Sequence, residues 1–190
     1  MKPESHLLAQ AQNNAWANHR LLTACARLSQ ADLEAPRSGF FPSLLATLNH
    51  ILIVDWFYVD ALEGGSLGLA AFADEVPCRT MDDLRAAQAA VDQRLIAFCA
   101  GLDAAALGRA VRLIRSDGDR IERCDRVLLH LFEHQIHHRG QAHAMLSGTP
   151  VAPPQLDEFF LAQDAGVRRG DLAALGWNEE ALWRNWPAPE

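Results

Sequence analysis

Apolar residues recur at helical spacing in four long segments of the chain, and no segment alternates apolar and polar residues over the length of a strand. Residues favoured at helix ends bound two of these segments, with Ser43 and Thr80 at their starts and Gly64 and Gly101 at their ends. The four segments cover about residues 4–28, 43–64, 80–101 and 125–146. The pattern predicts an all-α protein built on four long helices.

The connections between the segments indicate how the helices are arranged. The second and third segments are separated by GGSLGLAAFADEVPC, residues 64–78, which is long enough to cross the end of a helical bundle. We therefore expect the second and third helices to be parallel. Between the third and fourth segments, Asp117-Gly118 is a turn signal flanked by short runs that tolerate β structure, so a small hairpin is expected there.

The part of the chain after Pro150 is too apolar for a free tail. Its large apolar residues are Phe159, Phe160, Leu172, Trp177, Trp183 and Trp186. We expect residues 151–190 to form an extension with short helices that docks on the bundle or on a partner subunit. The bundle itself would occupy about residues 4–148.

Composition narrows the class of protein. A chain of 190 residues with 49% hydrophobic and 22% charged residues is typical of one globular domain, here residues 1–190. The formal net charge is −7, and no cluster of Lys and Arg is apparent. Because nucleic-acid binding depends largely on such clusters, no nucleic-acid partner is expected.

The most apolar stretch, residues 44–62, has the length of a membrane span but contains Asn49, His50, Asp55 and Asp60. Charged and imidazole side chains are costly inside a bilayer, so this stretch is interpreted as a core helix and no membrane partner is expected. The four cysteines form no C-x-x-C pair, and the polar start MKPESH is not a secretory leader. We expect reduced thiols and a cytoplasmic protein. The cysteines are Cys25, Cys78, Cys99 and Cys124.

The fourth segment contains HLFEHQIHHRGQAH, residues 130–143, with five of the chain's eight histidines. On a helix, His134 and His138 project from the same face, within the apolar stripe. His50 also lies on an interior face of its segment. Two imidazoles from one helix and a third from a facing helix predict a metal site inside the bundle. The alternative is three buried histidines that are merely hydrogen-bonded.

Three neutral imidazoles would leave a divalent metal ion at least one open position, as in catalytic zinc sites. Zinc is the favoured ion, and nickel, iron and manganese also accept nitrogen ligands. His130 and His137 flank the ligand pair and are expected at the mouth of the cavity, whereas His143 should face the surface or a partner. Glu133 and Asp55 are candidate acceptors for a ligand N–H group. Asn18 is interpreted as a buried amide bonded to nearby backbone.

The motifs SLLATLNHILIVDWFYVDALEGG (residues 43–65) and LLHLFEHQIHHRGQAHAMLSG (residues 128–148) resemble the DinB-like family of bacterial four-helix-bundle proteins. NNAWANHRLL and PPQLDEFFL extend the match over residues 5–162. The resemblance implies a bundle of up-down-down-up topology, often a homodimer, with one divalent metal ion held by three histidines. By position, these are His50, His134 and His138.

Relatives in this family also suggest what the metal does. Some proteins that the chain is similar to catalyse transferase or isomerase reactions that depend on a low-molecular-weight thiol. One hypothesis is therefore a metal-dependent S-transferase or hydrolase acting on a thiol and a small electrophilic substrate, in which His130, His137 or Gln141 orients the electrophile or moves a proton. The other hypothesis is a non-catalytic metal-binding protein that acts in a stress response or binds a partner, in which the metal stabilises the bundle.

Overall fold

Four long helices form most of the structure, a computed structural model that describes residues 2–184 and residue 186. They are α1 (Pro3–Cys25), α3 (Leu44–Leu62), α4 (Met81–Ala100) and α5 (Cys124–Ser147). The shorter elements are α2 (Gln30–Glu34), α6 (Ala165–Ala174), α7 (Glu179–Trp183) and the strands β1 (Ala110–Leu113) and β2 (Arg120–Arg123). The prediction of an all-α protein is confirmed, with a small antiparallel hairpin where the turn signal indicated one.

Side-chain caps explain where the helices begin. The hydroxyls of Ser43 and Thr80 accept hydrogen bonds from the third backbone N–H that follows each of them, at 3.2 Å in both cases. The first helix was predicted to run to Leu28, and this was wrong. The chain leaves the helix after Cys25 because Ser29 caps a separate short helix, α2, through a reciprocal capping box.

The long helices share one apolar core. α1 packs on α4 and α5, and α3 packs on the same two helices. The amide of Asn49, early in α3, bonds the backbone of Cys78 just before α4, and Glu63 after α3 bonds Arg94 late in α4. The contacts between α3 and α4 therefore advance in the same direction along both helices. The contacts between α3 and α5 advance in opposite directions along the two helices. Thr47, early in α3, contacts Met145, late in α5, whereas Tyr58, late in α3, contacts the ring of His130, early in α5.

The C-terminal extension packs on the outer side of α1. Phe159, Leu172 and Leu182 enclose Trp16 together with Ala17 in a second, smaller apolar cluster. The guanidinium of buried Arg168 donates hydrogen bonds to the backbone oxygens of residues 158 and 161 and to the carboxylate of residue 179. Arg168 therefore holds the parts of the extension together, and the apolar cluster around Trp16 holds the extension on the bundle.

One helix, Leu44–Leu62, is long and apolar enough to cross a membrane by length and composition, but 78% of that stretch is buried inside the protein. Its apolar side chains pack against the other long helices. This burial is what a core helix requires.

A buried polar network also joins the four long helices. Its members are Asn14, Asn18, Asp55, Gln88, Asp92, Gln135 and Arg139. Arg139 donates from Nη1 to the side-chain oxygens of Asn14, Asn18 and Gln135, and does not touch either carboxylate directly. The amide nitrogens then donate onward to the two aspartates. One guanidinium is therefore linked to two carboxylates through intervening amides.

This network corrects two expectations. Asn18 was expected to bond to nearby backbone, but its amide lies between Arg139 and Asp92. Asp55 was a candidate acceptor for a ligand histidine, but its carboxylate accepts from Gln88 and Gln135 instead. Burial raises the pKa of both aspartates and lowers the pKa of Arg139 to about 10.

Candidate metal centre

Three histidines meet between α3 and α5. His50 projects from α3, and His134 and His138 project from successive turns of α5, as their spacing of four residues requires. One nitrogen from each ring lies within 4.8 Å of the others, and the Nε2 atoms of His50 and His134 are 3.0 Å apart. The ring centres are 4.3–4.9 Å apart. The structure thus brings together the three residues that the sequence selected.

The rings are held in the neutral state. Burial lowers the pKa of His50 to about 4 and that of His134 to about 3, and the neighbouring ring of His138 adds to the effect in both cases. Burial also lowers the pKa of His138. A neutral imidazole has one nitrogen with a free lone pair, which is the form that binds a metal ion. The cluster therefore presents lone pairs rather than positive charges.

Hydrogen bonding within the protein accounts for only part of this cluster. Nδ1 of His134 is buried and has no hydrogen-bond partner among the described residues. Its Nε2 faces another imidazole nitrogen, so at most one of the two can carry the proton between them. On a tetrahedral ion with bonds of about 2.0–2.1 Å, two ligand nitrogens lie roughly 3.3 Å apart. The observed 3.0 Å is close to that value and is also an ordinary hydrogen-bond distance, so the two rings are placed where they could share a cation.

Gln141 orients one of the three rings. Its side-chain oxygen accepts a hydrogen bond of 2.8 Å from Nδ1 of His138. Because an amide oxygen can only accept, Nδ1 carries the proton and Nε2 keeps its lone pair. The amide nitrogen of Gln141 donates in turn to Nε2 of His137, at 3.0 Å. A ligand histidine that donates its other N–H to a fixed acceptor is typical of protein metal sites.

The remaining candidates lie around the cluster. His130 is exposed, and its ring centre is 6.4 Å from that of His134 and 5.2 Å from that of Tyr58. His137 is also exposed, with its ring edge-on to His138 at 4.8 Å. Both positions fit the expected mouth of the site. Glu133 is exposed and has no hydrogen bond to the three clustered rings.

Sequence reasoning missed Phe41. Its ring lies 4.3 Å from that of His50 and 5.6 Å from that of His138, so it covers one side of the cluster. It stands in the irregular segment before α3, where helical spacing gives no information about side-chain direction. His143 was expected to face the surface or a partner, but it is half-buried and Nε2 bonds the backbone oxygen of Pro154, 2.9 Å away.

None of the four cysteines belongs to the cluster. All four thiols are buried and free, and burial raises the pKa of Cys25 and Cys99 to about 12. A thiol with a raised pKa is a weak nucleophile at neutral pH. Any thiol that reacts at this centre must therefore come from outside the chain.

Comparison with known families agrees with this arrangement. The family model described as "DinB family" matches residues 4–170, which is most of the chain. The chain belongs to the DinB family. A search of curated proteins gave no match. Within this DinB chain, the residues beyond the match are 1–3 and 171–190, which include the last residues of α6 and all of α7.

The structure gives physical positions to the motif HHRGQ of this DinB protein, residues 137–141. Arg139 is buried and holds the polar network on the side of α5 that faces α1. Gln141 faces the other way and holds His138. Between them, Gly140 is exposed and has open space where a side chain would begin. The motif therefore connects the interior of the bundle with the histidine cluster across one turn of α5.

Proposed function

We propose that this DinB protein binds one divalent metal ion through His50, His134 and His138 and is a metal-dependent enzyme acting on small molecules. The observation that carries the proposal is the convergence of three imidazoles whose pKa values are lowered by burial, with Nδ1 of His134 buried and without a hydrogen-bond partner among the described residues. Zinc suits three nitrogen ligands with an open fourth position, and nickel, iron or manganese would also be accepted.

A bound divalent ion would supply a thiolate or a hydroxide at neutral pH, because it lowers the pKa of a coordinated thiol or water. The surrounding side chains have distinct tasks in such a reaction. Gln141 orients the ring of His138 and donates a hydrogen bond to Nε2 of His137. His137 accepts at Nε2, so its Nδ1–H can donate a hydrogen bond that orients the electrophile.

His130 is the candidate for proton transfer. It is exposed and borders a cavity of about 330 Å³. We propose a thiol-dependent S-transferase as the reaction class, with a low-molecular-weight thiol and a small electrophile as substrates. The protein's own cysteines are buried away from the cluster, which is consistent with an external thiol. Hydrolysis is the closest alternative reaction at the same centre.

The proposal includes a four-helix bundle of up-down-down-up topology. Contacts between α3 and α4 that advance in the same direction, and contacts between α3 and α5 that advance in opposite directions, support it. A homodimer is proposed on the basis of the family resemblance, and a cytoplasmic location on the basis of the four free cysteines. Its oligomeric state can be measured by sedimentation of the untagged protein.

The metal proposal is tested by titrating untagged, metal-free protein with cobalt(II) and following its visible absorption. One equivalent should bind, and His134→Ala should lose binding, whereas His6→Ala, at an exposed histidine of α1, should retain it. Equal binding by both variants would remove the basis for the proposed centre.

Catalysis is tested separately from binding. The metal-loaded protein is incubated with small thiols and electrophiles, and loss of the thiol is followed over time. Turnover by the wild type that His134→Ala lacks would support the enzyme. If the wild type binds metal but shows no turnover across a broad panel, the non-catalytic metal-binding function is favoured instead.

A further inference from the structure

A cavity lies beside His130, on the side of the β hairpin. Its lining residues are Tyr58, Leu113, Glu122, Arg126, Val127 and His130, and its volume is about 330 Å³. Small-molecule sites commonly begin at about this size. Since the ring of His130 lies 6.4 Å from that of His134, a small molecule in the cavity would be within reach of the cluster.

Arg115, in the turn of the hairpin, is positioned beside this cavity. Its Nη2 donates a hydrogen bond of 2.9 Å to the hydroxyl of Tyr58, which lines the cavity. The guanidinium also stacks over the ring of Phe57, 4.6 Å from the ring centre. Both contacts restrict the side chain, so its orientation is fixed before any ligand arrives.

No ion pair joins Arg115 to any described carboxylate. The other hairpin arginines differ in this respect, because Arg112 pairs with Asp119 and Arg120 pairs with Asp117. A half-buried guanidinium that is oriented but lacks an anionic partner is suited to a carboxylate or phosphate from outside.

The local charge points the same way. Residues 109–126 contain six arginines and four carboxylates, a net charge of +2, in a chain whose formal net charge is −7. Positive charge is therefore concentrated in the hairpin and the first turn of α5. A negatively charged small molecule would be attracted to this side of the protein rather than to its acidic remainder.

We propose that the substrate carries a negatively charged group, a carboxylate or a phosphate, that binds Arg115 and the Tyr58 hydroxyl while its reactive end reaches the histidine cluster. The inference rests on the proposed function, since it assigns the substrate class of the same centre. It makes Arg115 a specificity residue rather than a metal ligand.

The test uses pairs of thiols that differ only in charge, namely ω-mercaptocarboxylates of two to six carbons and the mercaptoalcohols of equal length. Each is titrated into cobalt-loaded protein, and thiolate binding is read from the charge-transfer absorption. At one or more lengths, the carboxylate should bind on the order of tenfold more tightly than its neutral partner. Arg115→Gln should abolish this preference, Arg115→Lys should retain part of it, and Arg112→Gln, in the same hairpin, should leave it unchanged.

A second measurement avoids the metal. Succinate is titrated into metal-free protein and followed by NMR, and Arg115→Gln should weaken its binding about tenfold relative to Arg112→Gln. If thiolates of both kinds bind the cobalt protein equally at every length and Arg115→Gln changes nothing, the anion site is overturned while the metal centre survives. If no thiol binds, the proposed function fails, and an unchanged succinate affinity in Arg115→Gln would then overturn the anion site as well.

Discussion

Replacing Arg139 by methionine is expected to destabilise the folded protein by about 3–5 kcal/mol, the usual cost of removing one partner from a buried charged network. Methionine keeps much of the side-chain length but removes every donor. The side-chain oxygens of Asn14, Asn18 and Gln135 would each lose a hydrogen bond inside the core. The buried carboxylate of Asp92 would also lose the cation in its network, whereas Asp55 keeps its proton.

The loss can be measured by urea unfolding followed by circular dichroism. For a chain of 190 residues, a change of this size corresponds to a decrease in Tm on the order of 10 °C. Arg126→Met is the matched control, because Arg126 lies on the same helix, is largely exposed and pairs only with Glu122. Its effect should stay below about 0.5 kcal/mol.

The double variant Arg139→Met/Asp92→Asn tests whether the charges of Arg139 and Asp92 are coupled. Asn18 accepts from Arg139 and donates to Asp92, so the two charged groups are coupled through it. Once the guanidinium is gone, Asp92→Asn removes the uncompensated negative charge of Asp92. The double variant should therefore be more stable than the sum of the single effects by at least about 1 kcal/mol. A cost below about 1 kcal/mol for Arg139→Met, or strict additivity, would refute the role assigned to the network.

Three further outcomes are expected. Chelation of the metal should lower the Tm of the wild type but not that of His134→Ala, because a ligand present at a hundredfold its Kd stabilises the folded state by about 2.7 kcal/mol. Equal shifts in the two proteins, measured by scanning calorimetry, would argue against the metal centre. Gln141→Leu should weaken cobalt binding about 10–100-fold, because the ring of His138 loses the hydrogen bond that orients it. Glu133→Leu, at an exposed position of the same helix, should leave the affinity unchanged, and calorimetric titration of the two variants with cobalt measures the difference. Because burial raises the pKa of Asp55, the native state retains a proton that the unfolded chain releases above about pH 4, so the contribution of Asp55 to the free energy of unfolding should fall with rising pH. Asp55→Asn cannot ionise and should gain stability relative to the wild type as pH rises; a constant difference in urea unfolding from pH 5 to 8 would contradict this.

Helical periodicity explains why much of the site could be predicted. His134 and His138 are four residues apart, and His50 lies on the apolar side of its own helix, so their inward direction follows from spacing alone. The role of Gln141 was also accessible, because residues three and four apart on a helix are neighbours, and Gln141 stands in that relation to His138 and His137.

The features that sequence reasoning missed depend on contacts between elements. Phe41 lies in an irregular segment, where no period tells which way a side chain points. The burial of Arg139 depends on Asn14 and Asn18, which lie on α1 and accept its hydrogen bonds, and the pattern of a single helix cannot show such partners. Asp55 was assigned to the histidines because it is polar and interior, but its carboxylate faces α4 and the other side of α5.

X-ray absorption spectroscopy of the zinc-loaded, untagged protein tests the central claim most directly. The claim predicts three imidazole nitrogens at about 2.0–2.1 Å, one further light ligand and no sulfur, because all four cysteines lie outside the cluster. The spectrum of His50→Ala should contain one imidazole fewer. Sulfur in the coordination shell, or the same number of imidazoles with and without His50, would contradict a centre built by His50, His134 and His138.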